Sequence, residues 1–242
     1  MILFATAAVA APYGPREQHL AGRAAAADAL RRAGSTRLTV GRRGDGAPCF
    51  PPGFTGSITH TRRLAVAVVC RAGEVRGIGV DLETDPVPGR LHRILLGEEE
   101  RAALWTPADE TTLRGLFVAK EAAFKAFSAG GERATRMFWR IRLERPDPGP
   151  EPPGAVWGTS DPASGAAPSR GASTGSGTWL VARAGRERAR VRVRTGRELA
   201  WAVAVLPAPG PPSAADAPGG GSAEPFGGGS AEPLGGPAGP AR

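Results

Sequence analysis

Apolar and polar positions divide the chain into distinct elements. Arg16–Ala33 is alanine-rich and predicts a helix, with Gly34 as its stop. Arg37–Val40 is short and extended, and a turn follows through Gly41–Gly46 and Pro48. Thr55–Thr61 and Leu64–Cys70 predict two strands, the second a continuous small-apolar run of the kind a buried strand carries. After a turn over Arg71–Gly77, Ile78–Glu83 reads as a third strand. Helical signals dominate from Arg90 to Ser128. Glu98–Trp105 is one helix, Pro107 interrupts the pattern, and Thr111–Ser128 is another, closed by Gly130 and Gly131. Phe138–Leu143, Thr178–Ala184, Ala189–Arg194 and Leu199–Leu206 read as further strands. Helix and strands, then helices, then strands again predict an α+β fold of two lobes, not the regular alternation of a parallel sheet. The N-terminal lobe is expected over residues 1–74 and the C-terminal lobe over 75–206.

Glycine and proline sharpen these boundaries. Pro146–Gly177 holds 14 of them in 32 residues, and Pro207–Arg242 holds 19 in 36. The first reads as a flexible insertion in the second lobe, the other as a disordered tail with a G-G-G-S-A-E-P near-repeat. Neither should carry chemistry.

Several classes fall away. No apolar run approaches the roughly 20 residues of a membrane span. Cys49 and Cys70 alone give neither a disulfide framework nor zinc-site spacing, which suits a reducing cytoplasm. Met1–Ala11 resembles a signal peptide superficially, but its first basic residue, Arg16, lies beyond the apolar run. A buried first strand or a helix lead-in is the expectation there. The net charge of +8 favours an acidic partner, phosphate or nucleic acid, with simple solubility as the alternative.

The distribution of lysine is more telling. Of 31 basic residues only two are lysine, and both fall in Lys120-Glu121-Ala122-Ala123-Phe124-Lys125. A chain that writes positive charge as arginine elsewhere has reason to place a compact ammonium where a phosphate is gripped as a point charge. Leu113, Leu116, Phe117, Phe124 and Phe127 form the helix's apolar stripe. At about 100° per residue Lys120 falls inside that stripe, while Glu121 and Lys125 lie along one edge. A charge on the buried face needs a partner. A Glu121–Lys125 pair at i, i+4 would account for Lys125 but not for Lys120.

Gly77-Ile78-Gly79-Val80-Asp81-Leu82-Glu83 is the second signal. On a strand Ile78, Val80 and Leu82 face one side, and Gly79, Asp81 and Glu83 the other. The two acids then stand about 6.6 Å apart at their Cα atoms. Such like charges repel unless a cation lies between them, and oxygen donors select a hard ion such as Mg²⁺. A solvent-facing edge strand is the plainer account, and Gly79, which leaves room for a ligand, tilts against it. The third signal is Gly56-Ser57-Ile58-Thr59-His60-Thr61, whose histidine could donate to a phosphate or be purely structural. Ser57 with His60 does not make a hydrolase, since no G-x-S-x-G elbow is present.

Taken in order, G-S-I-T-H, G-I-G-V-D-L-E and F-V-A-K-E-A-A-F-K resemble the 4′-phosphopantetheinyl transferases of the two-lobed surfactin type, nearest the enterobactin synthase component D branch. The resemblance implies a pseudo-dimer of two similar lobes with coenzyme A bound between them. It also implies Mg²⁺-dependent transfer of phosphopantetheine to a serine of an acyl or peptidyl carrier protein, releasing 3′,5′-ADP. Asp81, Glu83 and Glu121 match the family's metal-binding acids, with Glu121 also a candidate base. Lys120 and Lys125 match its lysines near the pyrophosphate and reaction centre, and His60 and Thr59 its 3′-phosphate contacts. Arg23 and Arg42 match basic positions around the nucleotide, and Gly46-Ala47-Pro48 the adenine-side turn. Ala47 stands where many relatives have lysine, and Phe117 where tryptophan is common. A cytoplasmic monomer acting on acidic carrier domains is expected, without nucleic-acid or membrane partners. The competing reading, a basic nucleic-acid-binding protein, needs arginine interleaved with exposed aromatics, whereas most phenylalanines here sit at core positions. Arg188, Arg190, Arg192 and Arg194 share one face of a strand, expected as a solvated edge rather than a carrier dock.

Overall fold

The computed structural model describes residues 1–131, 138–147 and 177–208. The proposed insertion and tail lie outside the described residues, apart from their ends. The first sheet orders β1 (Leu3–Ala8), β5 (Leu64–Arg71) and β4 (Phe54–His60), all antiparallel. Helix α1 (Pro15–Arg32) covers one face. Pro15 suits the first turn, the Gly14 N–H donates to Glu17 Oε2 at 3.1 Å, and Gly34 ends the segment at φ +81°. Alanines make the helix thin, so Ala25, Ala26 and Ala29 lie directly against Ala5, Ala67 and Val69.

The second sheet orders β6 (Val75–Glu83), β10 (Ala200–Pro207), β9 (Glu187–Thr195), β8 (Thr178–Ala184) and β7 (Arg142–Glu144), again antiparallel. One face carries α4 (Glu110–Ala129), whose Ala119, Ala122, Ala123, Ala126 and Phe127 pack on Ala202, Ala204, Val191 and Leu180. On the other face Ile78, Val80, Leu82, Trp201 and Val203 meet Ile2, Phe4, Val66, Val68 and Cys70 of the first sheet. The layers run helix, sheet, sheet, helix. The alternation read for Ile78–Glu83 thus separates two interfaces, one apolar between the sheets and one against α4.

Three local expectations change. The short strand pair near Arg42 is β2 (Gly41–Arg42) with β3 (Pro48–Cys49), because the turn between them closes through Arg43 and Gly46, leaving Arg37–Val40 unpaired. Phe138–Arg140 forms a 3-10 turn, with Phe138 edge-on to Phe117, and only Arg142–Glu144 reaches the sheet. Most consequentially, β9 lies between β10 and β8, so its arginine row is not an edge device. Arg192 instead covers the Trp179 ring at 5.8 Å and Arg194 the Trp201 ring at 5.9 Å. Between β6 and α4 come two short helices, α2 (His92–Leu95) and α3 (Glu98–Leu104).

Candidate functional site

The end of β6, the middle of α4 and the end of β4 converge on Asp81. Its side chain faces α4, as the strand alternation requires, and the residue is 8% exposed. Asp81 Oδ1 accepts the Lys125 ammonium at 2.6 Å and the Thr59 hydroxyl at 3.0 Å. Lys125 Nζ also donates to the Val80 carbonyl at 3.1 Å. The helix comes this close because β6 has glycine where it crosses. A Cβ on Gly79 would run into the Ala122 carbonyl, and one on Gly77 into that of Ala126. The sequence argument that Gly79 leaves space for a ligand is therefore corrected: α4 backbone fills that space.

Glu121 is half-buried beside this pair. Burial raises its carboxyl above the usual carboxylate range, the Asp81 charge adds to the rise, and Lys125 opposes it. Lys125 thus pairs with Asp81 rather than closing an i, i+4 bridge with Glu121. Glu83 sits one alternation further along β6, and its Oε1 accepts the backbone N–H groups of Thr84 and Asp85, each at 2.9 Å. Among the described residues no three His, Cys, Asp or Glu side chains stand close enough to hold a metal ion. The expected triad of Asp81, Glu83 and Glu121 is thus not gathered into such a group: Lys125 pairs with Asp81 Oδ1, and Glu83 Oε1 takes up N–H groups of its own turn. Asp81 and Glu121 still fit a hard divalent cation, which takes one or two carboxylates and completes its shell with phosphate and water oxygens.

Lys120 requires a second correction. It is fully buried, and its ammonium binds Glu100 Oε1 at 2.8 Å, Glu100 Oε2 at 3.0 Å and the Ile141 carbonyl at 2.7 Å. Burial pulls its proton affinity down and Glu100 pulls it back up. A side chain so enclosed is not presented to a diphosphate; it ties α4 to α3 and to the start of β7. Glu100 is the partner that the apolar-stripe argument demanded. It lies among three consecutive acids, Glu98 to Glu100, and only the fold shows which of them turns inward. Thr59 changes role too, its buried hydroxyl committed to Asp81 rather than to a nucleotide.

The remaining predicted residues gather beside the first sheet. His60 ends β4 in an exposed position, yet partial desolvation and the Lys125 charge hold its imidazole below the usual histidine range, against the pull of Asp81. His19, one turn before Arg23 on α1, also repels its protonated form. No sequence motif singled out His19. Arg23 has a buried Nη1 with no hydrogen-bond partner among the described residues, and Arg42 is its like-charged neighbour. Arg42 lies along Gly46, which turns the β2–β3 ribbon at φ +87°, and Arg42 pairs in register with Pro48. Two neighbouring guanidiniums, one with an orphaned donor, form a setting that an anion would neutralise.

Comparison with known proteins matches two successive segments of the chain. Residues 6–70 match the 4′-phosphopantetheinyl transferase N-terminal domain, and residues 77–152 the 4′-phosphopantetheinyl transferase superfamily domain. The chain is 40% identical over 85 residues to 4′-phosphopantetheinyl transferase PptT of Mycobacterium tuberculosis, covering 34% of this chain and 37% of that protein. It is 35% identical over 118 residues to enterobactin synthase component D of Salmonella typhimurium, covering 47% and 48%. With 4′-phosphopantetheinyl transferase Svp of Streptomyces mobaraensis it shares 38% identity over 95 residues, 37% of this chain and 38% of that one. The aligned regions thus span half or less of these relatives. The two domain matches fall in order on the two sheets and take in both β4 with His60 and the β6–α4 crossing with Asp81, Glu121 and Lys125; the chain belongs to the 4′-phosphopantetheinyl transferase superfamily.

Proposed function

We propose that the protein transfers the 4′-phosphopantetheine group of coenzyme A to a serine of an acidic acyl or peptidyl carrier protein, releasing 3′,5′-ADP, in support of polyketide, nonribosomal peptide or siderophore assembly. The observation that carries this reading is the pairing of Lys125 with Asp81 beside a Glu121 carboxyl of raised proton affinity, at the seam where β4 brings His60.

The serine oxygen forms a bond to the phosphorus that bears pantetheine, and the bond from that phosphorus to the bridging oxygen breaks, leaving 3′,5′-ADP. Glu121 accepts the serine proton. Its raised proton affinity suits a base better than that of an ordinary surface glutamate. The Lys125 ammonium supplies fixed positive charge for the diphosphate oxygens. Arg23, Arg42 and His60 would hold the nucleotide's 3′-phosphate, which completes the unpaired Arg23 donor. Asp81 and Glu121, joined by Glu83, would hold Mg²⁺, which as a Lewis acid neutralises charge on the diphosphate.

The test incubates the full chain with coenzyme A, Mg²⁺ and an apo carrier domain and follows carrier mass. A phosphopantetheine increment, lost in Glu121→Gln, is the expected result. No increment on any carrier tried, together with no binding of 3′,5′-ADP, would overturn the reading.

A further inference from the structure

Arg114, on α4 ahead of Lys120, is only 4% exposed, and no carboxylate among the described residues pairs with it. Backbone carbonyls hold its guanidinium instead. Nη1 donates to the Thr84 carbonyl at 3.0 Å, while Nη2 donates to the Arg197 carbonyl at 2.8 Å and to that of Gly196. These oxygens come from two separate places, the turn that leaves β6 and the turn between β9 and β10. The planar fork presents its two terminal nitrogens to the two turns in a fixed geometry, which a point-like ammonium on a flexible stem does not reproduce.

The Thr84 carbonyl belongs to the same peptide group as the Asp85 N–H, and that N–H donates to Glu83 Oε1 at 2.9 Å. A cation therefore binds the oxygen end of one peptide group and a carboxylate its hydrogen end. Both polarise the peptide in the same sense, so each bond strengthens the other. The Thr84 N–H donates to the same carboxylate oxygen at 2.9 Å, which fixes the plane of the acid.

We propose that Arg114 is a positioning residue for Glu83, acting through the Thr84–Asp85 peptide to tie down Oε1 and leave Oε2 to a divalent cation. Strand alternation alone places Glu83 on the same face as Asp81; Arg114 sets the orientation of its carboxylate. Groups that hydrogen-bond a ligating carboxylate act in this way at metal sites generally. The part of the claim that concerns the cation rests on the reading given under Proposed function.

The test compares the full chain with Arg114→Lys, Arg114→Met, Glu83→Gln and the Arg114→Met/Glu83→Gln double variant. Mn²⁺ binding is read by electron paramagnetic resonance, and stability by urea denaturation without metal. Arg114→Met and Glu83→Gln should each weaken Mn²⁺ binding about tenfold or more, and the double variant should be no weaker than the worse single. Arg114→Lys should fall between, with 3′,5′-ADP affinity unchanged, because the His60–Arg23 region hangs on other elements. Mn²⁺ binding like that of the wild type in both Arg114 variants, or effects that simply multiply, would overturn the proposal. If the wild type itself binds no Mn²⁺, the cation reading of Glu83 fails, and the stability cycle decides the positioning claim. Non-additive losses then support it and additive losses overturn it. Should Arg114→Met not fold, Arg114→Lys carries the same comparison.

Discussion

Replacing Glu100 with glutamine removes one charge and almost no volume, yet it should be among the most damaging single changes in the part of the fold built on the second sheet. Every neighbour of the Glu100 carboxylate is a donor: the Lys120 ammonium, the Leu143 N–H at 2.8 Å and the Gly97 N–H at 2.7 Å. A glutamine NH₂ must therefore face a donor, and the fully buried Lys120 loses its counter-charge. Breaking a buried pair from one side costs about 3–5 kcal/mol. For a chain of this size that lowers the melting temperature by about 6–20 °C. Urea denaturation across pH provides a sharper test. Burial already depresses the Lys120 pKa, and without Glu100 no counter-charge opposes that depression, only the Ile141 carbonyl. The folded variant then binds fewer protons than its unfolded chain at every pH between the two lysine pKa values, so its stability deficit shrinks as pH rises. Glu100→Leu combined with Lys120→Met should recover only part of the loss: the charge and its partner leave together, but the Leu143 and Gly97 N–H groups and the Ile141 carbonyl lose theirs. A Glu100→Gln variant within about 1 kcal/mol of wild type, with no added pH slope, would refute the reasoning.

Further expectations follow from the site. Glu121→Gln should reduce transfer by about 10²–10⁴-fold in a carrier-loading assay. It should also raise stability at neutral pH in denaturant melts: a carboxyl whose folded pKa is raised loses its stabilising contribution as pH climbs through that value, and glutamine does not ionise. Gly79→Ala should cost about 1–3 kcal/mol in the same melts, because its methyl would press on the Ala122 carbonyl and push α4 off β6. The His60 pKa is depressed, and a bound phosphate would raise it, so 3′,5′-ADP binding near neutral pH should take up a proton. Calorimetry in two buffers of different ionisation heat reads that uptake, and His60→Ala should abolish it.

Much of this protein could be read from the order of its residues because the signals were local. Periodicity of two in Ile78–Glu83 placed Asp81 and Glu83 on one face. Periodicity of 3.6 in the long helix put Lys120 on the buried side and Glu121 and Lys125 at its edge, whereas the reading of both lysines as phosphate grips did not survive for Lys120. These features depend only on the geometry of a single strand or helix, which nearby residues set. What remained open was every pairing between distant segments. Three adjacent acids offered a partner to Lys120, and only the packing of α3 turned Glu100 inward. Gly79 could have made room for a ligand or for a helix, and the approach of α4 decided it. The arginines of β9 gave the same pattern on an edge strand as on an interior one, and Arg114 carried no motif because backbone carbonyls, which every residue possesses, are its partners. Contacts of that kind leave no mark on residue identity, so the three-dimensional arrangement alone determines them.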